Sequence, residues 1–213
     1  MSTLRAPVLR PAWLLARETI ASRGGIALVI GFVSLDLLAR SALPFGMAAS
    51  RARADDLGRE SQVLLFGCIA LLVLMRAARW KPVLHGLGDV GLLATVCLSA
   101  LYLDFVCHFI VGGLDALMFR SDVRPDLLEL GAALWLAALA GILSLARLEA
   151  RGLGFLFLLL AWCVPVLTLP NPEAGGALGA GISHAPWSVG GFLPMLVPHL
   201  WALGYVCLER AQR

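Results

Sequence analysis

Lysine is almost missing from this chain: one residue, Lys81, stands against 16 arginines. No cysteine lies outside an apolar stretch, and the five present, Cys68, Cys97, Cys107, Cys163 and Cys207, form no CxxC pair. They read as small packing residues rather than disulfides or a thiolate metal site. No HExxH, no Gly-x-Ser-x-Gly elbow, no Gly-rich phosphate loop with Lys and no aspartate pair at metal-site spacing occurs. Metalloprotease, serine hydrolase and nucleotide hydrolase chemistry therefore have no carrier here, and the chain is not expected to be an enzyme. A basic face with interleaved exposed aromatics is absent too, so the net charge of +3 does not point to nucleic acid. Extended polar sequence is scarce: residues 1–24, 48–60 and 170–189 are the longest such stretches, each too short to bury a core of its own.

What remains is apolar. Hydrophobic residues make up 60% of 213, charged residues 15%, and the mean hydropathy is +0.86. Six runs, 25–47, 61–78, 88–118, 127–146, 152–169 and 190–208, come close to or exceed the roughly 20 helical residues that cross a hydrocarbon layer. Backbone polar groups find no water in lipid, so each run is expected to be helical. The expectation is an all-α, polytopic membrane bundle of about six transmembrane helices, with the lipid bilayer as solvent. Residues 1–24 form a leader, 25–208 the transmembrane domain and 209–213 a tail. The first run is longer than the core of a signal peptide and reads as a retained helix.

Charge orients the bundle. With the N-terminus inside, Arg5, Arg10, Arg17, Arg23, Arg76, Arg79, Lys81, Arg147, Arg151, Arg210 and Arg213 share one side. Only Arg40, Arg51, Arg53, Arg59, Arg120 and Arg124 fall on the other, interleaved with acids. Both termini are expected in the cytoplasm, and the compact, Arg-rich loops suggest a bacterial inner membrane. In the leader, Leu4, Val8, Leu9, Trp13, Leu14, Leu15 and Ile20 alternate with Arg5, Arg10, Arg17, Glu18 and Arg23 at helical spacing, as in a helix lying at the cytoplasmic interface. Pro11 suits its first turn, and Gly24-Gly25 lets the chain turn into the membrane. Gly86, Gly88 and Gly91 suggest that the long third run crosses only from about residue 92.

Polar residues inside the runs are the candidate sites. Asp36 and Arg40 are one turn apart on the first run, where an ion pair lessens the cost of burial in lipid. Asp104 and His108 share that spacing on the third, and a bonded carboxylate would fix the imidazole tautomer. His108 lies ten residues from Met118 and His199 nine from Gly190, about 15 and about 13 Å below one boundary. That common depth is what a bis-histidine haem b or a metal site in an electron-transfer subunit would need. A structural His–Asp bond is the plainer alternative, and a non-catalytic scaffold of a larger complex is a third reading. On the fourth run, Ala133, Ala137 and Gly141 form a small-residue stripe that permits close helix contact.

The order of elements resembles the permease subunits of type-2 ATP-binding-cassette exporters, including the haem-exporter-like permeases of about this length. The matching features are the leader Trp13-Leu-Leu-Ala-Arg-Glu-Thr-Ile-Ala-Ser-Arg-Gly-Gly25, the six runs, and the long segment Asn171 to Gly190 before the last run. The resemblance implies a transport permease, a homodimer or hetero-oligomer with other membrane subunits, and a separate cytoplasmic nucleotide-binding ATPase. The contact with that partner would fall on the leader and the loop after the second run, at Arg17, Glu18, Arg76, Arg79 and Lys81. That loop departs from the family pattern of a Glu- and Gly-containing coupling helix, since Asp89 is the one acid between Arg76 and Gly91.

Overall fold

The computed structural model describes residues 5–41, 64–80, 84–119, 127–147, 149–156 and 189–212. Among these residues the chain is all-helical, without a strand. Seven α-helices carry it: α1 Arg5–Ile20, α2 Arg23–Ser41, α3 over 64–77, α4 Gly88–Phe119, α5 Leu127–Leu143, α6 over 149–156 and α7 Val189–Ala211. Short 3₁₀ turns, Ala78–Trp80 and His85–Leu87, lie between α3 and α4. The described parts of all six apolar runs are helical except at residues 144–146, where the fourth run ends in a turn. The loop 48–60, the segment 170–188 and most of the fifth run lie outside the described residues. One helix among those described is long and apolar enough to cross a membrane: Gly88–Ile110, 23 residues with a mean hydropathy of 2.0.

The helix starts follow local chemistry. Ser22 caps α2: its hydroxyl oxygen accepts from the Gly25 N–H at 3.1 Å and its own proton goes to the Thr19 carbonyl at 2.6 Å. A side chain at Gly25 would meet the Thr19 carbonyl oxygen at 2.3 Å, so only glycine permits this tight turn from α1 into α2. Pro11 sits inside α1 rather than in its first turn, because the helix begins at Arg5. Gly88 takes φ +66°, a left-handed conformation that suits glycine, and α4 then continues without a break past residue 92. Its 32 residues extend about 48 Å.

α4 is the central element. On one side it packs against α5, which packs in turn on α7; on another it packs along α1. The expected small-residue stripe makes the α4–α5 contact: Ala133 and Ala137 are buried, and a side chain at Gly141 would come within 3.1 Å of the Leu93 carbonyl oxygen. α1 buries Ala12, Leu15, Ala16 and Thr19. The Ser99 hydroxyl lies 2.9 Å from the Ala12 carbonyl, and the Trp13 and Tyr102 rings meet edge to face at 4.8 Å. The leader is thus a helix, as expected, but it belongs to the bundle wall and runs antiparallel to α4, its C-terminal end beside Trp80. The core joins Leu15 of α1, Val73 and Leu74 of α3, Val96 and Leu103 of α4, Leu136 and Leu139 of α5, Phe155 of α6 and Ala202 of α7.

Two helices carry large apolar side chains on their outer faces. On α7, Pro198, His199, Ala202, Val206 and Glu209 recur every three or four residues and face inward, whereas Val197, Leu200, Trp201, Leu203, Tyr205 and Leu208 face outward. Trp201 and Leu208 are each 68% exposed. α4 likewise exposes Tyr102, Phe105, Phe109 and Ile110 while burying Thr95, Ser99, Asp104 and His108.

Candidate functional site

Charged side chains gather at one end of the bundle. The end of α1, the 3₁₀ turn after α3, the start of α4, the turn between α5 and α6, and the end of α7 all contribute. Glu18 accepts a hydrogen bond from the Trp80 indole N–H at 2.8 Å, and Arg76 Nε lies 4.0 Å from the same carboxylate. Two segments expected to meet a partner, the leader and the loop after the second run, are thereby joined into one surface. Arg17 and Arg79 are exposed on it, and Lys81 lies outside the described residues.

α7 is fastened at this end by two consecutive residues. Glu209 is buried; Oε1 lies 3.0 Å from Arg147 Nε and Oε2 accepts the Arg147 backbone N–H at 3.0 Å. Arg210 makes a two-pronged pair with Asp89 in the first turn of α4, one of its contacts being 3.0 Å. Arg151 is buried, and its Nε donates to the Ala146 carbonyl at 2.7 Å, closing the last turn after α5. Burial pushes the Arg151 guanidinium below its usual range, with Glu209 opposing the shift. A cavity of about 450 Å³ opens among these groups, lined by Ala77, Leu84, Asp89, Ser144, Arg147 and Arg151 together with their neighbours.

The second polar zone lies within the bundle. Asp104 is 2% exposed and His108 9%. Neither carboxylate oxygen of Asp104 has a hydrogen-bond partner among the described residues, so the expected Asp104–His108 bond is not formed. Spacing of four places both on one face of α4 but does not dictate their rotamers. His199 Nε2 lies 2.8 Å from the Trp135 carbonyl, which can only accept, so this nitrogen carries the hydrogen. The His199 ring also packs edge-on against Trp135 at 4.6 Å. His199 therefore ties α7 to α5, while His108 lies on α4. No group of three or more His, Cys, Asp or Glu side chains is gathered for a metal ion among the described residues. Asp36 and Arg40 fall one turn apart on α2, with side chains outside the described set.

Sequence reading missed Glu209, Asp89 and Trp80 as structural partners. Their signal was weak: each stands at the end of an apolar run, which marks a boundary but not the residue across from it. No family model, curated protein or solved structure matches the chain.

Proposed function

We propose that this chain is a membrane-embedded helical bundle acting as the permease subunit of a transport complex, with its charged end in the cytoplasm as the docking face for a separate ATPase. The exposed apolar surface supports this reading most: large apolar side chains cover the outside of α4 and α7, and several hydroxyls, a carboxyl and two imidazoles lie among the apolar residues within. Water-soluble monomers rarely expose continuous apolar surface on this scale, and lipid imposes no cost on it. The six runs then form six crossings, and the ion pairs of α7 with Arg147 and Asp89 fall where lipid gives way to water.

α1 takes a place in the bundle wall in this reading. Its contact with Ser99, the midpoint of the 23-residue apolar part of α4, aligns it with that helix rather than flat along the surface. Glu18, Trp80, Arg17, Arg76 and Arg79 form the polar surface left for a partner. Substrate would move along the bundle or a subunit interface as helices tilt.

The test is affinity purification of the full chain in a mild detergent after alkaline extraction of membranes. The chain should remain in the extracted membrane, and an ATPase should co-purify. Recovery of no ATPase, together with an unchanged phenotype on disrupting a candidate ATPase gene, would overturn the permease reading.

A further inference from the structure

α4 turns one stripe of side chains toward α5. The stripe is anchored by Gly141, whose added side-chain carbon would fall 3.3 Å from Leu93 Cγ and 3.5 Å from Cys97 Cβ. Asp104 lies seven residues past Cys97, two turns on and within about 20° of the same direction; His108 follows one turn later. The two helices are antiparallel, so the small residues Ala137 and Ala133 continue the α5 side of this contact toward Asp104. Methyl groups neither donate nor accept, in keeping with two carboxyl oxygens that have no hydrogen-bond partner among the described residues. The cavity at the charged end is not lined by Asp104. An uncompensated carboxylate in such surroundings is costly, and the closed α4–α5 contact accommodates the neutral acid instead. Of the ions that could neutralise it, a proton alone needs no space.

We propose that Asp104 is a proton-binding site of the bundle, taking a proton from water when α4 and α5 close and returning it when they part. The O–H bond of the carboxyl forms in one direction and breaks in the other, with water as donor and acceptor. The inference rests on the membrane-embedded reading and adds a coupled ion to it. Other titratable groups stand on this helix and on those of the bundle around it, Cys68 on α3 among them. On α4 these are Cys97, Cys107 and His108. α5 brings Glu129 in its first turn, its side chain outside the described residues, and His85 precedes α4 with a side chain likewise outside. α1 turns Arg10, Arg17 and Glu18 outward, α3 ends in Arg76 at the charged end, and α7 holds His199 on the Trp135 carbonyl.

The experiment uses the full chain in phosphatidylcholine vesicles, with infrared titration of the carboxylic-acid C=O band from roughly pH 6 to roughly pH 9. Wild type should show a protonated-carboxyl band that Asp104→Asn removes and Glu129→Gln keeps. In parallel, Cys107 is left as the sole cysteine and labelled with a maleimide. Wild-type labelling, divided by that of Asp104→Asn at the same pH, should rise several-fold as the band disappears; the new charge on Asp104 would by itself slow the thiol, so only parting of the helices raises the ratio. A band unchanged by Asp104→Asn, or a flat labelling ratio, overturns the proposal. Asp104→Glu, which keeps the acid, should restore both signals if Asp104→Asn inserts poorly, and failure to do so also overturns it. Alkaline extraction of the same membranes reports the membrane reading separately: a chain that washes off defeats that reading, whereas a retained chain without the Asp104 signals defeats only this one.

Discussion

Gly141→Leu is the perturbation that most directly tests the α4–α5 packing. At Gly141 even the first side-chain carbon would stand 3.1 Å from a backbone oxygen, which cannot swing aside as a side-chain tip can. A leucine adds three further carbons to a contact already at its limit, and overpacking of this kind costs about 1–3 kcal/mol. Helix propensity works in the opposite direction, since leucine is better than glycine by up to about 1 kcal/mol. Gly204→Leu on α7 supplies the control, because nothing lies within 4 Å of a side chain there and only the propensity gain operates. The two variants should therefore differ by at least about 1–3 kcal/mol, or about five- to 150-fold in the unfolding equilibrium. Dodecyl-sulfate titration of the protein in mild micelles, followed by tryptophan fluorescence and circular dichroism, measures both. Equal midpoints for Gly141→Leu and Gly204→Leu would refute the close approach of the helices.

Four other outcomes are expected. Glu209→Ala should lower stability by about 1–3 kcal/mol in the same titration, since it strands the Arg147 N–H; Glu209→Gln, which keeps an acceptor, should cost less. The exposed Arg147 side chain adds little to that figure, because solvent screens its charge. Ser99→Ala should cost less than about 1 kcal/mol, since the one hydroxyl proton is shared with the Thr95 carbonyl, and loosen α1, read as faster hydrogen exchange in residues 5–20 but not in α5. In a variant whose sole tryptophan is Trp13, quenchers placed deep in the acyl chains should act more strongly than quenchers at the headgroups. The reverse order would restore a leader lying flat on the surface. Joint charge reversal, Arg17→Glu with Arg79→Glu, should weaken capture of the proposed ATPase partner while changing stability by less than about 0.5 kcal/mol.

Helix positions were legible because hydropathy alone separates the runs, and the Ala133, Ala137 and Gly141 stripe was legible because small residues at a spacing of four have one common use. Pairings across the charged end were not. Trp80 and Glu18 are 62 residues apart, Arg147 and Glu209 also 62, and Arg210 and Asp89 121, and nothing in local spacing says which helix end adjoins which. The leader shows a subtler limit. Leu9, Trp13, Leu15 and the arginines between them describe an amphipathic helix, but its apolar side suits a neighbouring helix as well as a lipid surface. The buried Ala12, Ala16 and Thr19 show which surface α1 takes. Asp104 and His108 lie buried on α4, whereas the bond expected between them rested on spacing that fixes a face and no more.

Glu209 and Arg210 are neighbours in sequence, so their side chains leave α7 about 100° apart and grip two different elements. A single grip would let the helix roll about its axis; two fixed at that angle do not. The last turn of α7 is thereby held against rolling, and His199, about 15 Å further along, ties the same helix to α5. Held so, α7 keeps its apolar side, Trp201 and Leu208 among it, turned outward.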